Sequence, residues 1–438
     1  MSKELMVQKP NAPAYESTPG SQLAPNEILH FQTSEDLFQI EEYIYKKGIK
    51  KIYFDIETSG LDFFTDRLIL IQIQADSKIF LLNIAKIGKT CLKNFSYKGI
   101  LRILEDETII KIGHNLKFDL KFLIHFFASY RPRFKNLFDT YLAEELLNAG
   151  KDIKDGSSLK VLAKNYLNIE MDKTEQTSFH DGNLTRKQLR YAANDVSVLK
   201  PIYEKQLEAL SKAGLLGVAQ LEFSIIPAVA DIERAGMKID LHKHNELKGK
   251  YTDLLKKLEA ELDELICMLP MTGQLNMFGP RINYNSHLQV KKVLSSLGYK
   301  VESTNIETLE KIPHPFAQKL VQHRSTSKLI SSFIEKLPHH VHPCTGRIHA
   351  NFFQLGTEAG RFTCEGPNLQ QIPKEQEWRD LFIAEQGYRI ITADYSQIEL
   401  RILAEYSQDP VLLEAFLKGE DLHSRTAAQM FGVSTHGD

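Results

Sequence analysis

The chain has 438 residues, 42% hydrophobic and 25% charged, with a formal net charge of −2. This is a globular composition with room for two or three domains, and it lacks the overall basic excess common in nucleic-acid binders, so a reading of that class has to come from motifs. Four cysteines, Cys91, Cys267, Cys344 and Cys364, have no C-x-x-C spacing, which argues against a disulfide framework or a cysteine zinc site and fits a reducing, cytoplasmic compartment.

Residues 1–30 are rich in Pro, Ala and Ser, have no apolar core, and are expected to be disordered rather than a signal peptide. No run is long enough to cross a membrane. A helix is predicted from about Ser34 to Tyr45, with Thr33 or Ser34 as N-cap and Gly48 past its end. Three strands follow, "KKIYFDIET", "RLILIQIQAD" and "KIFLLNI", the last two joined by a short turn at Asp76 and Ser77. A further helix and the strand "TIIKIGHN" complete a compact α/β domain over 31–210. Beyond it the pattern turns helical. Long amphipathic segments such as "HNELKGKYTDLLKKLEAELDELICML" and "PFAQKLVQHRSTSKLISSFIEKL" define a region over 211–340. The remainder, 341–438, is mixed and rich in Gly, Pro and Asn; near its end the apolar run Ile390-Ile391 is expected to be a strand leading to Asp394. A helix with Ile398, Ile402 and Tyr406 on one face comes next.

Candidate chemistry begins on the first central strand. Asp55 and Glu57 sit two residues apart and therefore share a face, with Phe54 and Ile56 on the other. Adjacent carboxylates there repel and lose solvation, a cost that a divalent cation relieves; an edge strand with a solvated face would also carry such a pair. In "GHNLKFDLKFL", Asn115 and Asp119 lie one helical turn apart beside an apolar face of Leu116, Leu120 and Leu123. In "LTRKQLRYAANDVSVL", Thr185 and Gln188 form a capping-box pattern, and Tyr191 and Asp195 lie one turn apart. Each helix alone reads as a polar stripe.

In this order the three motifs resemble those of the DEDD exonuclease superfamily, in its tyrosine-bearing subtype, which has a ribonuclease H-like fold. The resemblance implies that Asp55, Glu57, Asp119 and Asp195 bind two Mg²⁺ or Mn²⁺ ions around a scissile phosphodiester. It also implies that Tyr191 orients the attacking water, and that Leu61 and Asn115 contact the single-stranded 3′ end.

The second half resembles family A DNA polymerases, the bacterial DNA polymerase I group, through "VHPCTGRIHANFFQLGTEAGRFTCEGPNLQQIP" and "ADYSQIELRILAEYSQDPVLLEAFLKGEDLHSRTAAQMFGV". Taken with the first half, the resemblance runs from about Phe31 to Val433. It implies an α/β exonuclease domain, a mostly helical thumb and a partial α+β palm. It further implies proofreading and DNA-templated synthesis in replication and repair. Asp394 would be a metal ligand, again for a pair of ions, with the Tyr395 carbonyl completing it. Gln397 and Glu399 would line the sugar pocket, Glu399 excluding a 2′-hydroxyl, and His423 would lie near the incoming dNTP triphosphate. Arg361, Asn368 and Gln371 would contact the primer-template duplex. His339, His340 and His342 are expected in a surface loop, since no acid or cysteine at ligand spacing supports a metal there. The basic stretch at 45–51 is expected to be a solvated helix end.

The fingers helix and the second palm acid of the family follow at no point in the sequence. Three expectations result: a fragment of a longer polymerase, one half of an enzyme whose second polypeptide carries fingers and remaining palm, or a stand-alone 3′–5′ exonuclease with a remnant DNA-binding half. A non-catalytic DNA-clamping or partner-docking module is a fourth. In all of them Asp394 alone cannot assemble a polymerase site, so this chain by itself is expected not to extend a primer.

Overall fold

A computed structural model describes residues 27–34, 36–88, 98–149, 156–267 and 282–432. Residues 1–26, Cys91 and the final "STHGD" lie outside the described residues. The chain divides into two compact units, Met1–Phe382 and Ile383–Asp438.

The first unit opens with a six-stranded sheet. Its strands are β1 (Glu27–Phe31), β2 (Lys51–Thr58), β3 (Leu68–Ala75), β4 (Lys78–Asn83), β5 (Ile110–Gly113) and β6 (Leu137–Asp139), in the order β1-β4-β3-β2-β5-β6. β2, β3 and β4 form an antiparallel meander; β5 and β6 add in parallel on one side and β1 pairs in parallel with β4 on the other. β1 differs from the sequence expectation, because Glu27–His30 belong to the segment expected to be disordered. Five residues with little alternation give a weak strand signal, and β4 supplies the backbone partners that hold them extended.

The helices around this sheet are α1 (Asp36–Lys46), α2 (Lys98–Glu105), α3 (Leu116–Phe126), α4 (Thr140–Leu147), α5 (Leu159–Leu167) and α6 (Arg186–Lys212). β3 is buried along its whole length, as expected of a strand covered on both faces. Through Val196, Leu199 and Ile202, α6 contributes to the core and packs against β2, β3 and β4. Its first turn has the full capping box: the Gln188 N–H donates to Thr185 Oγ1 at 3.2 Å and the Thr185 N–H donates to Gln188 Oε1 at 2.8 Å. That box sets the rotation of α6, and with it the direction of Tyr191 and Asp195.

The rest of the first unit is mostly helical: α7 (Leu216–Ala235), α8 (Leu241–Cys267), α9 (His287–Ser296) and α10 (Pro315–Leu329). One cluster around Tyr284, Val293, Phe316 and Leu320 closes α9 onto α8 and α10. Another surrounds Trp378, whose indole N–H donates to Tyr251 Oη at 3.0 Å. His342 departs from the expected surface loop. Its Nε2 lies 2.8 Å from Asp62 Oδ2, its ring stacks at 4.9 Å on Phe64, and its side chain is 17% exposed. An imidazole offered both a carboxylate and a ring face has reason to leave water.

The second unit contains α11 (Ile398–Ser407), α12 (Pro410–Lys418) and α13 (Leu422–Phe431). The expected strand at Ile390-Ile391 is absent: these residues take no regular structure, and Ile391 is 89% exposed. A strand needs a neighbour for its backbone groups, and among the described residues none pairs with this one.

Candidate functional site

β2 places Asp55 and Glu57 on one face of the sheet while Phe54 and Ile56 enter the core behind them. The register with β3 sets Asp55 opposite Gln72, and Gln72 Nε2 donates to Glu57 Oε1 at 3.1 Å. From α6, Asp195 arrives on the same face. Carboxylate oxygens of Asp55, Glu57 and Asp195 all lie within 4.8 Å of one another. α3 contributes Asp119, which is 2% exposed and close enough for the charge of Asp55 to act on it. Tyr191 is 7% exposed.

The structure brings three of the acids, Asp55, Glu57 and Asp195, to ligand spacing and leaves Asp119 nearby but outside that group; with little water around them, all four strain their own ionisation. Burial first, and then the charge of Asp195, pushes the Asp55 carboxyl well above the ordinary carboxylate range. Glu57 is raised by burial and then by Asp55 and Asp195. Asp119 is raised by burial and by Asp55, and Asp195 by burial against the opposing pull of Lys173. Burial, and then the charges of Asp195, Glu57 and Asp55, push the Tyr191 phenol far up.

The donor set suits a divalent cation that prefers hard oxygen ligands, since every converging group is a carboxylate. Asp119 Oδ1 is buried without a hydrogen-bond partner, an orphan acceptor of the kind a cation satisfies.

Two supporting residues went unread in the sequence. Asp139, at the end of β6, accepts from the backbone N–H groups of Asn115 (2.9 Å), Leu116 (2.8 Å) and Tyr141 (2.8 Å). It thereby caps α4 and fixes the start of α3. Its only signal was an acid just before a helical pattern. Lys173 lies in the stretch between α5 and α6 and donates to Asp195 Oδ2 at 2.8 Å and Tyr191 Oη at 3.2 Å. A lone lysine in a polar stretch carries no periodicity, so nothing in the sequence marked it.

Leu61 is 83% exposed at the tip of the turn after β2. Asp66 braces that turn by accepting the Asp62 N–H at 2.9 Å, and Gly60 fits against it so closely that a Cβ would lie 2.3 Å from Asp66 Oδ2. Asn115 is exposed in a left-handed conformation (φ 56°) at the N-terminus of α3.

The remaining candidates fall elsewhere. Arg361, Asn368 and Gln371 belong to the first unit, where the Asn368 side chain accepts the Gln370 N–H. Asp394, Tyr395, Gln397, Glu399 and His423 belong to the second. Asp394 and Tyr395 are exposed on the irregular stretch before α11, and Gln397 Nε2 donates to Asp421 Oδ1 at 3.0 Å. Among the described residues, the group at Asp55, Glu57 and Asp195 is the one acidic cluster with ligand-like spacing.

Strand order and acidic cluster together define a ribonuclease H-like exonuclease domain, joined here to a largely helical polymerase-type region. A 3′-5′ exonuclease family model matches residues 31–210, and the model of DNA polymerase family A matches residues 252–437. The chain belongs to the family A DNA polymerases. It is 31% identical over 418 residues to DNA polymerase I of Aquifex aeolicus, covering 88% of this chain and 66% of that protein. It is 32% identical over 409 residues to DNA polymerase I of Borreliella burgdorferi (88% and 43%), and 36% identical over 230 residues to the thermostable DNA polymerase I of Thermus aquaticus (49% and 26%). The chain thus spans 26–66% of the length of these relatives. The fold is similar to that of the POL domain of Pol1 from M. smegmatis, solved in complex with DNA primer-template and dNTP, with a TM-score of 0.70, 23% identity, and coverage of 91% of this chain and 66% of that one. Among the described residues no helix is long and apolar enough to cross a membrane.

Proposed function

We propose that the chain removes nucleotides from the 3′ end of DNA at a divalent-metal site formed by Asp55, Glu57, Asp119 and Asp195, with Mg²⁺ or Mn²⁺ as a pair of ions. The observation that carries this reading is the convergence of acids from a strand and a helix far apart in sequence, Asp55, Glu57 and Asp195, on one point. Bound ions of this kind supply Lewis-acid polarisation of the phosphodiester and of the attacking water. The chain's own groups do the rest. The four carboxylates would hold the ions, Gln72 holds Glu57 in place, and the Tyr191 hydroxyl would orient the attacking water by a hydrogen bond. Leu61 offers an apolar surface to an unpaired terminal base.

The domain limits that accompany this reading are 31–210 for the exonuclease, 211–340 for the thumb and linker, and 341–438 for a partial palm. In the palm, Asp394 and the Tyr395 carbonyl would serve DNA synthesis once completed by further polypeptide, with Gln397, Glu399 and His423 at the dNTP and Arg361, Asn368 and Gln371 on the primer-template. Large apolar side chains left in water in the second unit, Tyr406 at 87% and Leu417 at 89% exposed, support packing against such a partner, in the same chain or a second one.

The test uses single-stranded DNA labelled at either end, with Mg²⁺. Progressive shortening from the 3′ end that disappears in the D55A/E57A double variant is expected. Shortening from the 5′ end, or full activity in the double variant, would overturn the proposal.

A further inference from the structure

The cluster carries its own cation. Lys173 Nζ is 2.8 Å from Asp195 Oδ2, 3.2 Å from Tyr191 Oη and 5.1 Å from the centre of the Tyr191 ring, and its side chain is 23% exposed. Its charge acts on Asp55 and Glu57 as well as on Asp195. The backbone holding it is fastened to the first turn of α6, the helix that bears Asp195. Lys187 Nζ is 2.7 Å from Glu175 Oε1 and 3.1 Å from Thr174 Oγ1, and Gln188 Nε2 donates to the Ser178 carbonyl at 2.8 Å. The ammonium is therefore built into this position by its neighbours.

We infer that Lys173 is a resident competitor for the divalent ions: it holds Asp55, Glu57 and Asp195 together when no metal is bound and must yield Asp195 when one arrives. This rests on the reading that the cluster binds divalent cations. Two consequences follow from electrostatics. An ammonium beside Asp195 repels an incoming divalent charge and engages one of the oxygens it needs, so Lys173 weakens metal binding. The same ammonium relieves repulsion among the acids, so it stabilises the metal-free protein. Lys173 thus sets the metal concentration at which the site fills.

The experiment is a calorimetric Mn²⁺ titration of the full chain, with thermal melts in EDTA and in saturating Mn²⁺, for wild type, K173M, K173R and D55A/E57A. K173M should bind Mn²⁺ about tenfold or more tightly, as expected when a like charge is removed from a poorly solvated site. It should melt below wild type in EDTA and no lower than wild type in Mn²⁺, whereas K173R, which keeps the charge, should resemble wild type in both. A purely structural lysine would lower both melts equally and leave the Mn²⁺ affinity unchanged, and that pattern, or weaker binding by K173M, would overturn the inference. If wild type and D55A/E57A take up Mn²⁺ alike, the metal reading itself fails, and that result is separable from the behaviour of K173M.

Discussion

Lys117 and Glu233 form a nearly buried ion pair, Nζ to Oε1 2.7 Å, with side chains 13% and 2% exposed. The same carboxylate accepts from Lys121 at 2.6 Å and from the Phe352 N–H at 2.7 Å, so one glutamate on α7 ties the helix that bears Asp119 to the strand Asn351–Phe353. Removing it takes the carboxylate from both lysines and the acceptor from the Phe352 N–H, leaving Lys117 only the neutral oxygens of Asn351 and Phe352. E233A is expected to lose about 3 kcal/mol of stability, with E233Q losing less because the amide still accepts. Urea unfolding monitored by far-UV circular dichroism measures both.

Asp139 concentrates several backbone donors on one buried carboxylate, which burial pushes up to about 6 despite the hydrogen bonds that favour its charge. D139A should cost about 2 kcal/mol, the upper range for loss of a helix cap, and should also slow 3′ shortening because the start of α3 is no longer fixed. D139N should retain more of both, as thermal melts and end-labelled DNA assays will report.

The site makes metal-free stability fall as pH rises and makes the stabilisation by metal grow. Asp55, Glu57, Asp119 and Asp195 all have folded-state values above their unfolded ones, so the folded protein holds extra protons. Their contribution is fully present below the unfolded values and is lost as pH rises through the raised folded ones. In EDTA the melting temperature should therefore fall through this cluster as pH rises from about 4, past about 7 for Asp55 and toward about 10 for Glu57, while the gain on adding Mn²⁺ should grow over the same rise, because ligands must be deprotonated. Melts of wild type compared with D55N/E57Q isolate the cluster, and a gain from Mn²⁺ that is flat with pH would contradict the assignment.

Leu61 offers a cleaner separation of stability from function. With its side chain in water, L61A should change unfolding free energy by no more than about 0.5 kcal/mol. It should nonetheless slow removal of a paired 3′ terminus more than that of a frayed one, measured on matched and mismatched duplex ends.

The acidic face was legible in the sequence wherever a period carried it. The two-residue spacing of Asp55 and Glu57, the four-residue spacing of Tyr191 with Asp195, and the capping box at Thr185 all describe local geometry, which spacing encodes; the spacing of Asn115 with Asp119 does not, because Asn115 stands before the helix in a left-handed conformation, exposed while Asp119 is buried. What escaped depends on contacts between distant segments. β1 exists because β4 offers it a parallel edge. His342 is drawn to Asp62, 280 residues earlier in the chain. Lys173 acquires its role from a helix that begins after it, and Asp139 from the helix it braces rather than the one it caps. The opposite error, a strand expected at Ile390-Ile391, arose because an apolar run shows only that burial is favourable and not that a partner strand is at hand.

The most direct measurement is the anomalous scattering of Mn²⁺ soaked into crystals of the wild-type chain. Strong peaks bounded by Asp55, Glu57, Asp119 and Asp195, absent from the D55A/E57A variant, are the predicted result. Manganese bound elsewhere, or none among these four side chains at millimolar concentration, would contradict the central claim.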